Sequence, residues 1–159
     1  MKNSTNKIIP ASTVLIIRDG ESGLEVFMVV RHHEIDFAAG ALVFPGGKVD
    51  KSDYDKKLNQ YLCEDESSDR DNIHFKIAAV RECFEEANVL FAKNKNGREI
   101  ITADELFKLK KWRDAFVNDS TSMYEFASLE NLLFSIDSLI PFSHWITPEK
   151  VPKLSLIHI

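Results

Sequence analysis

The chain has 159 residues, a length that fits one domain with its own hydrophobic core. Hydrophobic residues make up 44% and charged residues 28%, and 11 residues are Phe, which excludes a disordered chain. The net charge of -5 argues against a nucleic-acid-binding protein, because such proteins usually present a basic face. The short basic cluster at 108–111 lies in a helical pattern and is interpreted as a solvated helix face.

The cysteines and the N-terminal segment bear on the cellular setting. Cys63 and Cys83 have neither metal-ligand nor disulfide spacing, so we expect reduced thiols and a cytoplasmic protein. The apolar run at 8–17 contains Pro10 and is too short to cross a membrane. It also lacks the cleavage pattern of a signal peptide. We therefore expect no membrane association.

The N-terminal part of the chain is predicted to form β-strands. Residues 13–17 and 24–30 are apolar and rich in β-branched side chains, and they flank a turn signal at 19–23. This pattern predicts a β-hairpin over 12–31. A short third strand is predicted at 41–44, after which Pro45 and the following glycines interrupt regular structure.

The remaining chain is predicted to be mainly helical. A helix over 52–62 is followed by an exposed acidic loop at 63–70 and by a long helix from Asp71 or Asn72 to about Leu90. A turn is predicted at 93–97.

A capping box at Thr102 and Glu105 begins a further helix that is predicted to end near Val117. A shorter helix ending near Phe134 and a strand-like segment at 139–147 follow. Strands flanked by helices predict a mixed α/β (α+β) domain.

Three glutamates share one face of the long predicted helix. Each helical residue advances by about 100°, which places Glu82, Glu85 and Glu86 within an arc of roughly 100°. Like charges at this spacing repel one another, and a hard divalent cation with oxygen ligands removes that conflict. The alternative is an exposed acidic face that pairs with Arg81 and Lys76.

A double glycine precedes this helix. Gly46 and Gly47 follow the third predicted strand, and a residue without a Cβ lets the backbone approach a ligand closely. Taken alone, the segment predicts an ordinary turn. Together with the acidic helix, it predicts a ligand site.

The two segments together resemble the signature of the Nudix hydrolase family, G-x5-E-x7-R-E-U-x-E-E-x-G-U, in which U is aliphatic. Six positions agree in order: Gly47, Arg81, Glu82, Glu85, Glu86 and Val89. The resemblance implies the Nudix fold, a mixed β-sheet sandwiched by helices, and hydrolase activity.

Several positions depart from the signature. The first glutamate is replaced by Asp53, and Asp50 is a rival for the same role. Residues 54–80 form an insertion where the signature has seven residues. Asn88 replaces the late glycine, which is a mild change because Asn also adopts the left-handed conformation at helix ends. Cys83 replaces an aliphatic residue.

With an insertion inside the signature, the chain resembles the Nudix branch that includes peroxisomal coenzyme A and acyl-CoA diphosphatases. Segments 30–32, 40–47 and 142–148 carry this similarity. It implies Mg²⁺-dependent (or Mn²⁺-dependent) hydrolysis of a nucleoside diphosphate linked to another moiety, with coenzyme A or acyl-CoA as the preferred substrate. ADP-ribose or NADH, a non-catalytic binding module and an inactive fragment are the alternatives. A peroxisomal location is considered for a eukaryotic source.

The resemblance also implies roles for individual residues. Glu82, Glu85 and Glu86 are the expected metal ligands and, with Arg81, the expected catalytic group. Arg81 would orient a nearby carboxylate.

Substrate-binding roles are expected for Gly46, Gly47 and Arg31, the last as a phosphate contact or, alternatively, a surface charge at a strand end. His32, His33 and His144 are expected to be surface or core residues. The general base stays open.

The end of the chain carries a separate prediction. Residues 154–159 match the translation of a common sequencing adapter, and we expect a non-native tail, with a genuine apolar strand as the alternative. Residues 1–153 are then a Nudix domain that lacks its C-terminal strands. A small-molecule nucleotide diphosphate is the expected partner, and a homodimer is left open.

Overall fold

The computed structural model of the protein describes residues 8–30, 40–63, 70–94, 102–147 and 155–159. These residues form ten strands, which are β1 (Ile9–Thr13), β2 (Ile16–Gly20), β3 (Gly23–Phe27), β4 (Val29–Val30), β5 (Leu42–Val43), β6 (Gly46–Lys48), β7 (Ala92–Asn94), β8 (Leu132–Phe134), β9 (His144–Ile146) and β10 (Ser155–His158).

The same residues form four α-helices, which are α1 (Ile73–Ala87), α2 (Ala103–Lys108), α3 (Lys110–Val117) and α4 (Met123–Glu130). Short 3-10 helices lie at Lys51–Tyr54, Lys56–Tyr61, Arg70–Asn72 and Ile136–Ser138. No helix in the described ranges is long and apolar enough to cross a bilayer.

The main sheet has the strand order β6-β1-β10-β9. Strands β1 and β10 are parallel, whereas the β1–β6 and β10–β9 pairs are antiparallel. Three antiparallel pairs, β2–β3, β4–β5 and β7–β8, complete the β-structure. The fold is mixed α/β, as the sequence predicts. Residues 155–158 of the predicted tail form β10, and the origin of that segment stays a prediction.

The predicted N-terminal hairpin is confirmed, with shifted strand boundaries. Strands β2 and β3 pair from Ile16↔Phe27 to Gly20↔Gly23. The predicted strand at 13–17 spans the break between β1 and β2, where Val14 N–H donates to the carbonyl of Pro45 at 2.9 Å. The chain changes its pairing partner there, from β6 to β3. Periodicity alone does not reveal such a change.

Three predicted helices differ from the structure. Residues 52–62 form 3-10 turns rather than one α-helix, and Asp55 caps the second turn. The helix predicted at 102–117 breaks at Leu109. The helix predicted to reach Phe134 ends at Glu130, because Asn131 adopts φ 54° and the next residues pair with β7 as β8.

The hydrophobic core lies between α1, α4, β8 and the 3-10 segment at 56–61. Its fully buried side chains include Leu58, Ile77, Val80, Phe84, Phe126 and Phe134. Leu58 belongs to the insertion predicted at 54–80. The first part of that insertion therefore packs into the core, and its last part forms the first turns of α1.

Candidate active site

Helix α1 presents two chemically different faces. Its core face carries Ile73, Ile77, Val80 and Phe84, which follow the i, i+4, i+7, i+11 spacing of an amphipathic helix. The glutamates of the signature lie on another face, which packs against β6 and β1. Burial of the apolar face fixes the rotation of α1 and thereby aims the glutamates at the double glycine.

Arg81 and Asp53 form a buried, bidentate ion pair. Arg81 Nε donates to Asp53 Oδ1 at 3.1 Å, and Nη2 donates to Oδ2 at 2.9 Å. Their exposed fractions are only 4% and 1%. Asp50 is the weaker partner, with its carboxylate 3.6 Å from Arg81 Nη1 and half of its side chain exposed. Of the two candidate aspartates, Asp53 is therefore the one that forms the buried ion pair with Arg81.

Arg81 connects this ion pair to the helix glutamates. Its Nη1 donates to Glu82 Oε1 at 2.9 Å and to Glu85 Oε1 at 3.0 Å, and Nη2 also reaches the carbonyl of Lys48 at 2.8 Å. Burial lowers the pKa of Arg81, but the hydrogen bond and charge of Asp53 and the charges of both glutamates outweigh it and raise the pKa. The guanidinium is therefore a permanent cation at the centre of the site.

Burial perturbs the carboxylates around Arg81. It raises the pKa of Glu82 to about 7; Arg81 opposes this rise, and the Glu85 and Glu86 charges add to it. The pKa of Glu85 is raised by burial as well. Crowded carboxylates with raised pKa values are typical of functional sites, because collecting like charges in this way does not help the protein to fold.

Both glycines of the loop lie against other parts of the site. Gly46 N–H donates to Glu86 Oε2 at 3.0 Å. A Cβ on Gly47 would collide with the carboxylate of Glu82, and a Cβ on Gly46 would collide with the carbonyl of Ser12. The segment is not the break in regular structure predicted from the sequence, since Gly46 and Gly47 lie within β6 and pair with β1. The close approach itself requires glycine.

The donor chemistry of this face fits a hard divalent cation. Glu82, Glu85 and Glu86 each use one oxygen to contact Arg81 or Gly46, and within the described ranges their other oxygens have no hydrogen-bond partner. Carboxylate oxygens are the ligands that Mg²⁺ and Mn²⁺ prefer. In the part of the chain that the structure describes, no three His, Cys, Asp or Glu side chains converge into a ready metal cage.

Other predicted residues have separate outcomes. Arg31, His32 and His33 lie outside the described residues, so their roles stay predictions. His144 is an exposed residue of β9. Cys83 is fully buried against Val14 and Ala79, and burial raises the pKa of its thiol to about 12, which makes it an unreactive core residue.

The left-handed conformation expected at Asn88 is confirmed, but α1 ends at Ala87 rather than near Leu90. Asn88 adopts φ 54° and ψ 31°, and its backbone N–H donates to the carbonyls of Cys83 and Phe84. Left-handed Asn caps of this kind replace the more common glycine. The departure from the family signature at this position therefore preserves its structural role.

Arg113 is a residue of the site region that the sequence did not reveal. From α3, its Nε donates to the carbonyls of Phe84 at 3.1 Å and Glu85 at 2.8 Å, and its Nη2 reaches the Glu86 carbonyl at 3.4 Å. A basic residue near a helix C-terminus is a known capping device, but here it comes from another helix. No local sequence signal could identify that pairing.

The predicted insertion also borders a cavity of about 480 Å³ beside the start of α1. Asp53 contributes to its wall, and the ring of Tyr54 stacks on His74 with their centroids 4.4 Å apart. The insertion thus extends the protein surface next to the Asp53–Arg81 pair while its apolar side chains enter the core.

Comparisons with known proteins agree with this architecture. The family profile of the NUDT19 Nudix domain matches residues 60–155. The chain is 34% identical over 142 residues to "Putative nudix hydrolase 7" of Caenorhabditis elegans, covering 89% of this chain and 40% of that protein. It is 25% identical over 166 residues to "Acyl-coenzyme A diphosphatase NUDT19" of Xenopus laevis, covering 82% of this chain and 44% of that protein.

A solved structure supports the same conclusion. The crystal structure of a NUDIX hydrolase from Alicyclobacillus acidocaldarius matches with a TM-score of 0.73 and 26% identity, covering 98% of this chain and 69% of that one. The chain spans less than half the length of the two curated relatives. The family profile covers more than half of the chain, and it includes the whole acidic helix α1. The chain therefore belongs to the Nudix hydrolase family.

Proposed function

We propose that this domain hydrolyses a diphosphate bond in a nucleoside diphosphate linked to another moiety, with Mg²⁺ or Mn²⁺ as cofactor. The observation that carries the proposal is the placement of Arg81, which ties Glu82 and Glu85 together on one face of α1. A like-charged cluster held this close to a permanent cation and to a glycine backbone is suited to bind a cation and, through it, phosphate oxygens.

Each residue of the site has a role in this proposal. Glu82, Glu85 and Glu86 would hold the metal through the oxygens that have no hydrogen-bond partner within the described ranges. When bound, the metal would neutralise the charge that develops on the diphosphate as water attacks phosphorus. Arg81 keeps the carboxylates on one face and is itself fixed by Asp53.

The loop glycines complete the proposed site. The N–H of Gly46 holds one oxygen of Glu86, and Gly47 leaves space for the carboxylate of Glu82. Arg31 stays the proposed phosphate contact on the substrate side. Its role rests on the family resemblance alone.

Coenzyme A or acyl-CoA is the proposed substrate. Support comes from the NUDT19 family profile and from the similarity to the Xenopus laevis protein named as an acyl-coenzyme A diphosphatase. ADP-ribose and NADH are the competing substrates, because they contain the same diphosphate linkage. A binding module without catalysis is the remaining alternative and is an outcome of the test below.

The test is a hydrolysis assay of the protein encoded by the full-length gene, with Mg²⁺ and with coenzyme A, an acyl-CoA, ADP-ribose and NADH in parallel. We expect turnover of coenzyme A or acyl-CoA that stops when a chelator is added. Glu85→Gln and Glu86→Gln should lower turnover by about 100-fold or more while the protein stays folded.

The matched control is Glu21→Gln, which removes the same charge from the exposed turn between β2 and β3. It should retain wild-type turnover. Full activity in both helix variants would remove the metal-ligand assignment. Turnover that continues unchanged in chelator would contradict the mechanism, and binding of a nucleotide without any turnover would favour the binding module.

A further inference from the structure

The last turn of α1 has backbone carbonyls that receive no hydrogen bond from the helix itself. The final carbonyls of any α-helix lack intrahelical donors. Asn88 N–H reaches back to Cys83 and Phe84, and Val89 N–H donates to Cys83. Within the described ranges, no backbone N–H reaches the carbonyls of Glu85 or Glu86. These two residues carry two of the three proposed metal-binding carboxylates.

Arg113 supplies the donors that are missing. Its guanidinium spans the carbonyls of Phe84, Glu85 and Glu86, with the shortest contact, 2.8 Å, to Glu85. A half-buried guanidinium that bonds three consecutive carbonyls restrains the backbone of the whole turn. It also places a positive charge at the negative end of the helix dipole.

Packing of α3 fixes Arg113 in this place. Phe116 lies one turn further along α3, on the same side of the helix, and is buried. Its ring meets the ring of Phe84 edge to face at a centroid distance of 6.2 Å. The aromatic contact holds α3 against the end of α1, so the guanidinium is brought to the carbonyls by the core rather than by a flexible loop.

We propose that Arg113 is a positioning residue that holds Glu85 and Glu86 in place for metal binding. This inference rests on the proposed function, because it assumes that these glutamates bind the cation. Without Arg113, the backbone of the last turn would keep only the donors at its cap. The Glu85 and Glu86 carboxylates would then be held only by their side-chain contacts with Arg81 and the Gly46 N–H. Glu82 lies one turn earlier, outside the three carbonyls that Arg113 contacts, so its backbone stays within the regular part of α1. The loss should therefore fall on part of the metal site only.

The effect can be measured as Mn²⁺ affinity, by following the EPR signal of free Mn²⁺ during a titration. Partners that orient metal ligands typically contribute about 10- to 100-fold to metal affinity, so we expect Arg113→Met to weaken Mn²⁺ binding by at least about 10-fold. Arg113→Lys keeps the charge but not the fork of donors, and we expect it to restore only part of the affinity.

Lys110→Met is the matched control, since it removes one positive charge from the exposed side of the same helix. We expect its Mn²⁺ affinity to stay within about twofold of wild type, because an exposed charge acts weakly on a distant site. A folded Arg113→Met protein with wild-type Mn²⁺ affinity would overturn the proposal. An equal loss in Lys110→Met would also overturn it, since the effect would then come from net charge.

A second readout does not depend on the metal. Hydrogen exchange of the Asn88 and Val89 amides should be at least about tenfold faster in Arg113→Lys than in Lys110→Met, because these amides close the turn that Arg113 holds. Unchanged exchange would contradict the proposal even if Arg113→Met failed to fold. Wild-type protein that binds Mn²⁺ but hydrolyses no diphosphate would remove the proposed function while leaving the positioning role intact.

Discussion

The buried pair of Arg81 and Asp53 gives the sharpest prediction about the stability of the domain. Arg81→Met would leave the Asp53 carboxylate, which is 1% exposed, without its cation. Among the described residues, the backbone N–H of Asp50 would still donate to this carboxylate, at 2.8 Å. Removing one member of a buried ion pair typically costs about 3–5 kcal/mol, and we expect a loss in free energy of unfolding of that size.

The opposite change should cost less. Asp53→Asn leaves Arg81 with the carboxylates of Glu82 and Glu85, so we expect a loss of about 1–3 kcal/mol. The double variant Arg81→Met with Asp53→Asn removes both charges together, and we expect it to recover a large part of the loss caused by Arg81→Met alone.

The assay is urea unfolding of the three variants and the wild type without metal, with the midpoint and slope fitted separately. Losses in the single variants that add up in the double variant would refute the reasoning, because they would show that Arg81 and Asp53 do not interact. A cost below about 1 kcal/mol for Arg81→Met would do the same, since it would mean that Asp53 is solvated or protonated at little expense.

Three further predictions concern pH, the glycine loop and the helix end. Burial raises the pKa of Glu82 from 4.5 to about 7, so the native state keeps a proton that the unfolded state releases from about pH 4.5 upwards. The metal-free protein should therefore lose up to about 3 kcal/mol of unfolding free energy as the pH rises from about 4.5 to about 7. A stability that increases from about pH 5 to about pH 7.5 would contradict this. Gly47→Ala should weaken Mn²⁺ binding by about tenfold or more, since the added methyl displaces the Glu82 carboxylate; unchanged affinity by EPR titration would exclude that contact. Asn88→Ala should lower the free energy of unfolding by about 1 kcal/mol, because Ala tolerates the left-handed backbone at this position poorly, whereas Asn88→Gly should leave it nearly unchanged. Equal losses of stability in the two variants, measured by thermal unfolding, would argue against a left-handed cap.

The acidic helix was the part of the fold most accessible from the sequence. Its apolar spacing predicted α1, although the helix ends at Ala87 rather than near Leu90. The left-handed conformation of Asn88 was expected from its residue type. The side chains of Glu82, Glu85 and Glu86 could be placed on one face from helix geometry alone. These features depend on residues that are close in sequence, for which helical periodicity is sufficient information.

The parts that the sequence did not reveal depend on contacts between distant segments. Asp50 and Asp53 could not be separated until the structure showed which carboxylate is buried against Arg81. Arg113 contacts a helix end far away in the sequence. The segment at 52–62 has helical composition, yet it forms 3-10 turns because Leu58 and its neighbours adapt to the core surface of α4 and β8. Tertiary packing overrides local propensity in such segments.

The carboxylate face of α1 is proposed to bind a divalent cation. A Mn²⁺ titration followed by EPR measures this binding, with wild type, the Glu85→Gln variant and the Glu21→Gln control compared under identical conditions. We predict that wild type and Glu21→Gln bind Mn²⁺ with equal affinity and that Glu85→Gln binds it at least about tenfold more weakly. Equal Mn²⁺ affinity in all three proteins would contradict this proposal.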